Sequence, residues 1–399
     1  MDTEPVAPPL TERPLRVLFL NWRDTGHPEG GGSEVYAEQV VDGLAGLGHD
    51  VTLLTARYPG SRATERRSSG ARVVRTGGRL SVYPRAAWAV RSGRVPRPDV
   101  IVETQNGVPY LAAVWARRTP HVVLVHHVHR EQWPVVFGPL AARLGWFLES
   151  RVAPRVNRRR PYVAVSGVTR SELADLGIPP ERIQVIHNGA IPPVPHDVGR
   201  SPEPQLLLLG RLVPHKRVEI ALRVMARLRE EFPTARLVVA GRGWWEGEVR
   251  AEVDRLGLAD CVDLRGFVTD DERHRLYASS WVSLVPSIKE GWGLVVVEAG
   301  LHATPTIAFH GTGGITESIV DGQTGYLAEQ DDVDDFVELT RRLLLDESER
   351  QRLGKAAEAF AADFTWEQTI AKFDRMIRHA VSARRPEVGL SGRRPRRQP

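Results

Sequence analysis

Short continuous apolar runs alternate with helix-length segments along this chain, and one proline-rich stretch interrupts them. Arg16 to Leu20, Asp50 to Thr55, Val100 to Val102, Val122 to Val125 and Tyr162 to Val165 read as strands. Their apolar runs are unbroken rather than alternating, so both faces of the sheet are expected to be covered. Strands of that kind, separated by helices, make parallel doubly wound α/β sheets. The pattern stops at Ile191 to Pro204, which carries five prolines, and restarts at Gln205. Strands are then expected at Arg236 to Ala240, Val262 to Leu264, Trp281 to Val285 and Pro305 to Phe309. With 399 residues the chain exceeds one ordinary core. The expectation is two Rossmann-like domains, 15–190 and 205–365, joined by a linker at 191–204 and facing each other across a cleft.

The loops after these strands carry the chemistry. Gly30-Gly31-Gly32 follows the first strand, and Ser33 is expected to cap the next helix. Gly31 and Gly32 would let backbone approach a phosphate or sugar closely. Gly210-Arg211-Leu-Val-Pro-His-Lys216 follows the first strand of the second domain. Two cations beside a tight turn suit a diphosphate, arginine as a planar fork and lysine as a point charge. The glycines of a Walker-type phosphate loop are missing. Pro286-Ser-Ile-Lys-Glu290-Gly-Trp-Gly-Leu-Val-Val-Val-Glu298 runs from a strand end into a helix near Gly293. Glu290 and Glu298 would accept hydrogen bonds from sugar hydroxyls in that crevice.

Three further clusters need sorting. His126, His127 and His129 raise the question of zinc, but His126 and His127 would point to opposite sides of an extended chain and no matching cysteine or His-Glu helix is present nearby. One imidazole, His126, is expected to reach a substrate hydroxyl. Gly241-Arg-Gly243 opens like a dinucleotide fingerprint, yet Glu246 stands where its third glycine belongs. Asp332-Val-Asp334 lies just ahead of a helix pattern, where capping explains it.

Together these residues resemble the retaining family-4 glycosyltransferases of the GT-B fold. Gly31-Gly32, His126, Gly210-Arg211-Leu212 with Lys216, and Glu290-x7-Glu298 carry the resemblance, in the family's order, over about residues 15–380. Ala164-Val-Ser166, Val185-Ile-His-Asn188-Gly189, Arg265-Gly266-Phe267-Val268 and Asp321-Gly-Gln-Thr-Gly325 agree with it. The resemblance implies a UDP- or GDP-sugar donor, no required metal or other cofactor, and front-face transfer of a hexose such as glucose or mannose with retained anomeric configuration. Arg211 and Lys216 would hold the diphosphate, and Glu298 the ribose. Glu290 with the N–H groups of Gly293 and Leu294 would hold the sugar. Gly266, Phe267 and Val268 would lie near the base, and His126 near the sugar or acceptor. It also implies that a last helix, 366–381, crosses back onto the first domain. Trp292 and His187 depart from the family pattern, where phenylalanine and proline are usual, and Trp292 is expected to reshape the sugar pocket.

Charge leaves the acceptor open. The chain has four lysines against fifty arginines, eleven of the arginines between Arg57 and Arg97. A basic tail, 382–399, is expected to be disordered. Such regions attract phosphates, so a phosphorylated or lipid-linked acceptor and peripheral contact with an anionic membrane are expectations. Nucleic acid is not, because few aromatics interleave the arginines and no recognition motif is present. A catalytically silent sugar-nucleotide sensor is the other alternative. One cysteine, Cys261, and no apolar stretch of roughly 20 residues or secretory signal point to a cytoplasmic enzyme.

Overall fold

The computed structural model describes residues 13–193 and 197–383. The tail beyond 383 and part of the linker lie outside them. The first sheet contains β1 (Arg16–Leu20), β2 (Asp50–Thr55), β3 (Thr64–Arg66), β4 (Arg72–Arg75), β5 (Val100–Gln105), β6 (His121–Val125), β7 (Tyr162–Ala164) and β8 (Ile183–Val185). Their order is β3-β4-β2-β1-β5-β6-β7-β8, and every pairing is parallel except β3 with β4. The second sheet contains β9 (Gln205–Leu209), β10 (Arg236–Ala240), β11 (Val262–Gly266), β12 (Val282–Val285), β13 (Thr306–Phe309) and β14 (Gly325–Ala328). It is parallel throughout, in the order β11-β10-β9-β12-β13-β14.

That order is the doubly wound one, and it reverses between β9 and β12. Loops leaving the carboxyl ends of those two strands diverge to opposite sides and open a crevice between them. Arg211 and Lys216 follow β9, and Glu290 follows β12. Connectivity alone therefore brings these distant segments together.

The helix Gly32–Gly46 buries Tyr36, Val40, Val41 and Leu44 against the first sheet. Its N-cap is Gly31, not Ser33 as expected; Ser33 lies inside the first turn. Gly31 offers no capping side chain, and Glu34 reaches back to accept the Gly31 N–H at 2.7 Å. The last helix, Trp366–Ser382, packs on the helix Gly32–Gly46 and on β5 and β6. Phe373 stacks on Phe19 with ring centroids 6.2 Å apart. A Cβ on Gly43 would lie 2.2 Å from Ile370, so glycine there is what lets the two helices touch.

Candidate active site

On the second-domain side, Lys216 ends a single 3-10 turn, Pro214–Lys216, and its ammonium donates to Glu290 Oε1. Glu290 is fixed by its backbone as well: its N–H donates to Thr312 O at 2.9 Å, and its carbonyl accepts the Gly314 N–H at 2.9 Å. Burial pushes the Glu290 carboxyl up, and Lys216 more than offsets this, so the group titrates below its ordinary range. Gly293, with φ of 83°, turns the chain into the helix Leu294–Gly300. A side chain would be strained at that φ.

Glu298 is held by partners of its own. It is buried one turn into the helix Leu294–Gly300, where Tyr277 donates to its Oε2 at 3.0 Å and Arg273 stands 3.7 Å from its Oε1. Burial raises its pKa, and those two neighbours offset only part of the rise. One carboxylate is thus paired to a cation at the crevice, and the other is anchored behind it.

Arg211 reaches the other domain. Its Nη1 donates to Glu29 O at 3.0 Å, and a Cβ on Gly31 would sit 2.9 Å from its Nε. A Cβ on Gly32 would meet nothing within 4 Å. The two glycines therefore differ: Gly31 gives way to the guanidinium, while Gly32 borders open space.

His126 follows β6 and is almost fully buried. Its ring stands edge-on to Tyr36 with centroids 5.2 Å apart, and its Nε2 has no hydrogen-bond partner among the described residues. Burial drives its pKa down to about 4, with Glu34 opposing weakly, so the imidazole is neutral near pH 7. The other two histidines serve different partners. His127 Nε2 lies 3.0 Å from Gln132 Oε1, and His129 Nδ1 lies 2.8 Å from Glu149. Among the described residues no group of three or more His, Cys, Asp or Glu could hold a metal ion.

Gly266, with φ of 65°, ends β11, and its carbonyl accepts the Gly241 N–H at 2.7 Å. Phe267 projects into solvent beside Arg242, whose guanidinium lies 5.9 Å from its ring. Val268 is half-buried. The fingerprint-like glycines have a packing role: Cβ atoms on Gly241 and Gly243 would fall 1.8 Å from Gly210 O and 2.0 Å from Leu212 O. They let the β10 loop lie against the diphosphate-type loop. Asp332 accepts the N–H groups of Asp334 and Asp335 and is a helix cap.

Trp292, expected to reshape the sugar pocket, packs inward. It is buried in the core between the domains, with its ring 4.1 Å from His187 and 4.9 Å from Phe364. The two departures from the family pattern therefore stack on each other, the larger indole filling space beside an imidazole.

Two residues that join the domains went unread. Lys289 donates to Glu131 at 2.9 Å and to Glu172, both in the first domain. Glu317 accepts the N–H groups of Gly167 at 2.9 Å and Val168 at 2.5 Å, and His187 Nε2 lies 3.8 Å away. Lysine is so scarce here that Lys289 carried a signal; Glu317 and the Glu298 anchor Tyr277 carried none.

Two doubly wound domains closed over a cleft, with two cations and a carboxylate at its switch point, define a GT-B glycosyltransferase using a nucleotide sugar. Comparison with known proteins agrees. Residues 30–192 match the family Glycosyltransferase Family 4, and residues 197–360 match Glycosyl transferases group 1. The chain is 29% identical to D-inositol 3-phosphate glycosyltransferase of Kribbella flavida, over 91% of this chain and 95% of that one. It is 28% identical to MMP alpha-(1->4)-mannosyltransferase of Mycolicibacterium hassiacum, over 91% and 98%. Sucrose-phosphate synthase from Thermosynechococcus elongatus superposes with a TM-score of 0.79 at 21% identity, covering 93% of this chain and all of that one. HepE of Anabaena, solved with UDP-glucose, gives a TM-score of 0.69 at 18% identity, over 90% and 98%. The chain belongs to the family-4 glycosyltransferases of the GT-B fold.

Proposed function

We propose that this enzyme moves a hexose from a nucleotide-diphosphate hexose to a hydroxyl acceptor, retaining anomeric configuration and needing no metal. The observation that carries the reading is the Lys216–Glu290 ion pair at the switch point, beside Arg211. Donor binding exchanges that pair: Lys216 turns to the diphosphate, and Glu290 is released to accept from sugar hydroxyls. Arg211 and Lys216 supply the positive charge that a divalent ion would supply elsewhere, and they oppose the charge that grows on the leaving phosphate. The Gly293 and Leu294 N–H groups support the sugar. Glu298, already steadied by Tyr277, keeps free lone pairs for ribose hydroxyls. Gly31 and Gly32 close on the phosphate from the first domain, and the neutral His126 holds a hydroxyl of sugar or acceptor. The exposed Phe267 beside Gly266 and Val268 offers the base a ring. The leaving phosphate itself takes the acceptor proton as attack comes from its own face.

Uracil is the first base to try, since HepE was solved with UDP-glucose. A phosphorylated polyol is the first acceptor class, by likeness to the Kribbella relative's D-inositol 3-phosphate. The test is a thermal-shift panel of UDP, GDP, ADP and their sugars with EDTA present, followed by NMR of the product anomer. One base should stabilise the protein by mass action, and an α-donor should give an α-product. No shift with any nucleotide, or an inverted product, defeats the reading.

A further inference from the structure

Residues 130–160 of the first domain form a surface that the transferase chemistry does not use. The helix Pro139–Phe147 turns Ala142 and Gly145 inward, where a Cβ on Gly145 would lie 2.3 Å from the Trp133 ring. Its packing is therefore satisfied from that side. Its outer face nevertheless presents Leu140, Leu144 and Phe147, which are 83%, 60% and 54% exposed and lie one helical turn apart. Val135 and Val136, 40% and 39% exposed, extend the apolar surface from the preceding turn.

The unpaired charge around this face has one sign. Arg130, Arg143, Arg151, Arg155, Arg158 and Arg159 are exposed, and none makes an ion pair with a described carboxylate. Both acids inside the segment are occupied: Glu149 is fully buried and held by His129 and the Trp133 indole N–H at 2.7 Å, and Glu131 pairs with Lys289 at 2.9 Å. Six second-domain arginines, Arg227, Arg250, Arg255, Arg265, Arg275 and Arg341, are by contrast paired.

We propose that this face docks the enzyme on an anionic lipid bilayer, with Leu140, Leu144 and Phe147 entering the headgroup boundary and the arginines meeting lipid phosphates. An apolar stripe flanked by unpaired cations on a helix lying in the surface plane is the physical signature of such docking. A second copy of the chain fits less well, because a two-fold contact would set arginines against arginines. The short helix Trp133–Val136 touches the Pro214–Lys216 turn, so the docked face borders the cleft. An acceptor held at the bilayer surface would enter from that side, a step that rests on the transferase reading.

Co-sedimentation of the full-length protein with phosphatidylcholine vesicles, and with vesicles containing phosphatidylglycerol, tests the docking alone. The protein should pellet with the anionic vesicles only. The triple variant Leu140→Gln, Leu144→Gln, Phe147→Gln should lose binding by more than about tenfold. So should Arg143→Gln, Arg155→Gln, Arg158→Gln. The arginine-rich tail is common to all these proteins, so a difference belongs to the helix. Nucleotide-induced thermal shifts should be unchanged, which separates failed docking from a failed donor site. Equal pelleting with neutral vesicles, no pelleting, or unaltered binding by either variant overturns the proposal. A concentration-dependent dimer abolished by the apolar variant, without lipid binding, would give the stripe to self-association instead.

Discussion

The two walls of the cleft are built on opposite electrostatic plans. At the switch point the second-domain wall keeps charged groups and pairs them within the domain, Lys216 with Glu290 and Glu298 with Arg273 and Tyr277, while Lys289 crosses to the other side. The first-domain wall presents a neutral, buried imidazole and two glycines, and its nearby charges are already matched, Arg23 with Glu34, and Glu131 and Glu172 with Lys289. A paired wall can exchange partners for a charged ligand at little desolvation cost, because its groups never face an apolar interior alone. A neutral wall contributes shape and one hydrogen bond instead. The difference predicts that charge removal on one side, and bulk or protonation on the other, are the damaging changes.

Lys216→Ala should have the largest effect. It removes the cation opposing the leaving phosphate and leaves Glu290 without its counter-charge. Loss of one such group in other enzymes costs about 10²–10³ in rate, and that is the expectation here. Transfer assays and a melting curve separate the two consequences. More than about a tenth of the wild-type rate, under 1.4 kcal/mol of barrier, would mean the diphosphate is not held here.

Gly291→Ala, on the second-domain side, presses bulk against the neutral wall. Its Cβ would lie 2.4 Å from the His126 carbonyl across the cleft, so the domains must part. A misplacement of about 1 Å can cost on the order of 10²-fold, and a loss of ten- to a hundredfold in kcat/KM is expected. The fold should melt within a few degrees of wild type, because each sheet keeps its own core. An unchanged rate would show that productive closure does not bring these loops together.

Much of this was legible beforehand, and the failures have physical causes. Strands buried on both faces announce themselves, so β1, β2 and β10 fell on the expected residues. β3 and β4 did not, because β3 has no apolar residue and arginines at both ends of β4 hide its Val73-Val74 pair, and β8 and β14 are only three and four residues long. The Arg57–Arg97 stretch read as a free basic region, yet Arg67 pairs with Glu38 and Asp42, and Arg75 with Asp24 and Glu65. Ion pairs between residues far apart in sequence leave no local pattern. Arg211, Lys216 and Glu290 could be assigned to one crevice because strand order brings their loops together. The Lys216–Glu290 bond itself, and the stacking of His187 on Trp292, depend on side-chain geometry that spacing does not encode.

Protonation should damage the neutral wall more gently. His126 titrates near 4 in the folded protein, below the usual imidazole value of about 6.5. Its depressed pKa contributes stability that is fully present above about pH 6.5 and is lost as pH falls toward 4, where the unfolded chain binds the proton first. The slope is up to about 1.4 kcal/mol per pH unit for each such imidazole. His215, also driven to about 4 by burial and by Lys216, adds to it. Chemical denaturation of His126→Gln from pH 7 to 4.5 should therefore give a flatter profile than wild type. An identical slope would mean that His126 is not buried as a neutral ring.

Lys289→Met should give the smallest effect and the sharpest comparison with Lys216. Both lysines are paired to carboxylates, but Lys216 pairs within its own domain and Lys289 pairs across the cleft. Burial lowers the Lys289 pKa and its two carboxylate partners outweigh that, leaving it raised, so the cation persists throughout the neutral range. Glu131 is half-exposed and Glu172 a quarter exposed, so water can replace much of what is lost. The expected cost is about 1 kcal/mol at the domain contact rather than the several of a fully buried pair. It should appear as a higher donor KM with kcat nearly unchanged, because a weaker latch lowers the fraction of closed enzyme before chemistry begins. High salt should narrow the gap between variant and wild type. A fall in kcat as deep as that of Lys216→Ala would mean that Lys289 acts on the donor itself, and that the two walls are not electrically separate.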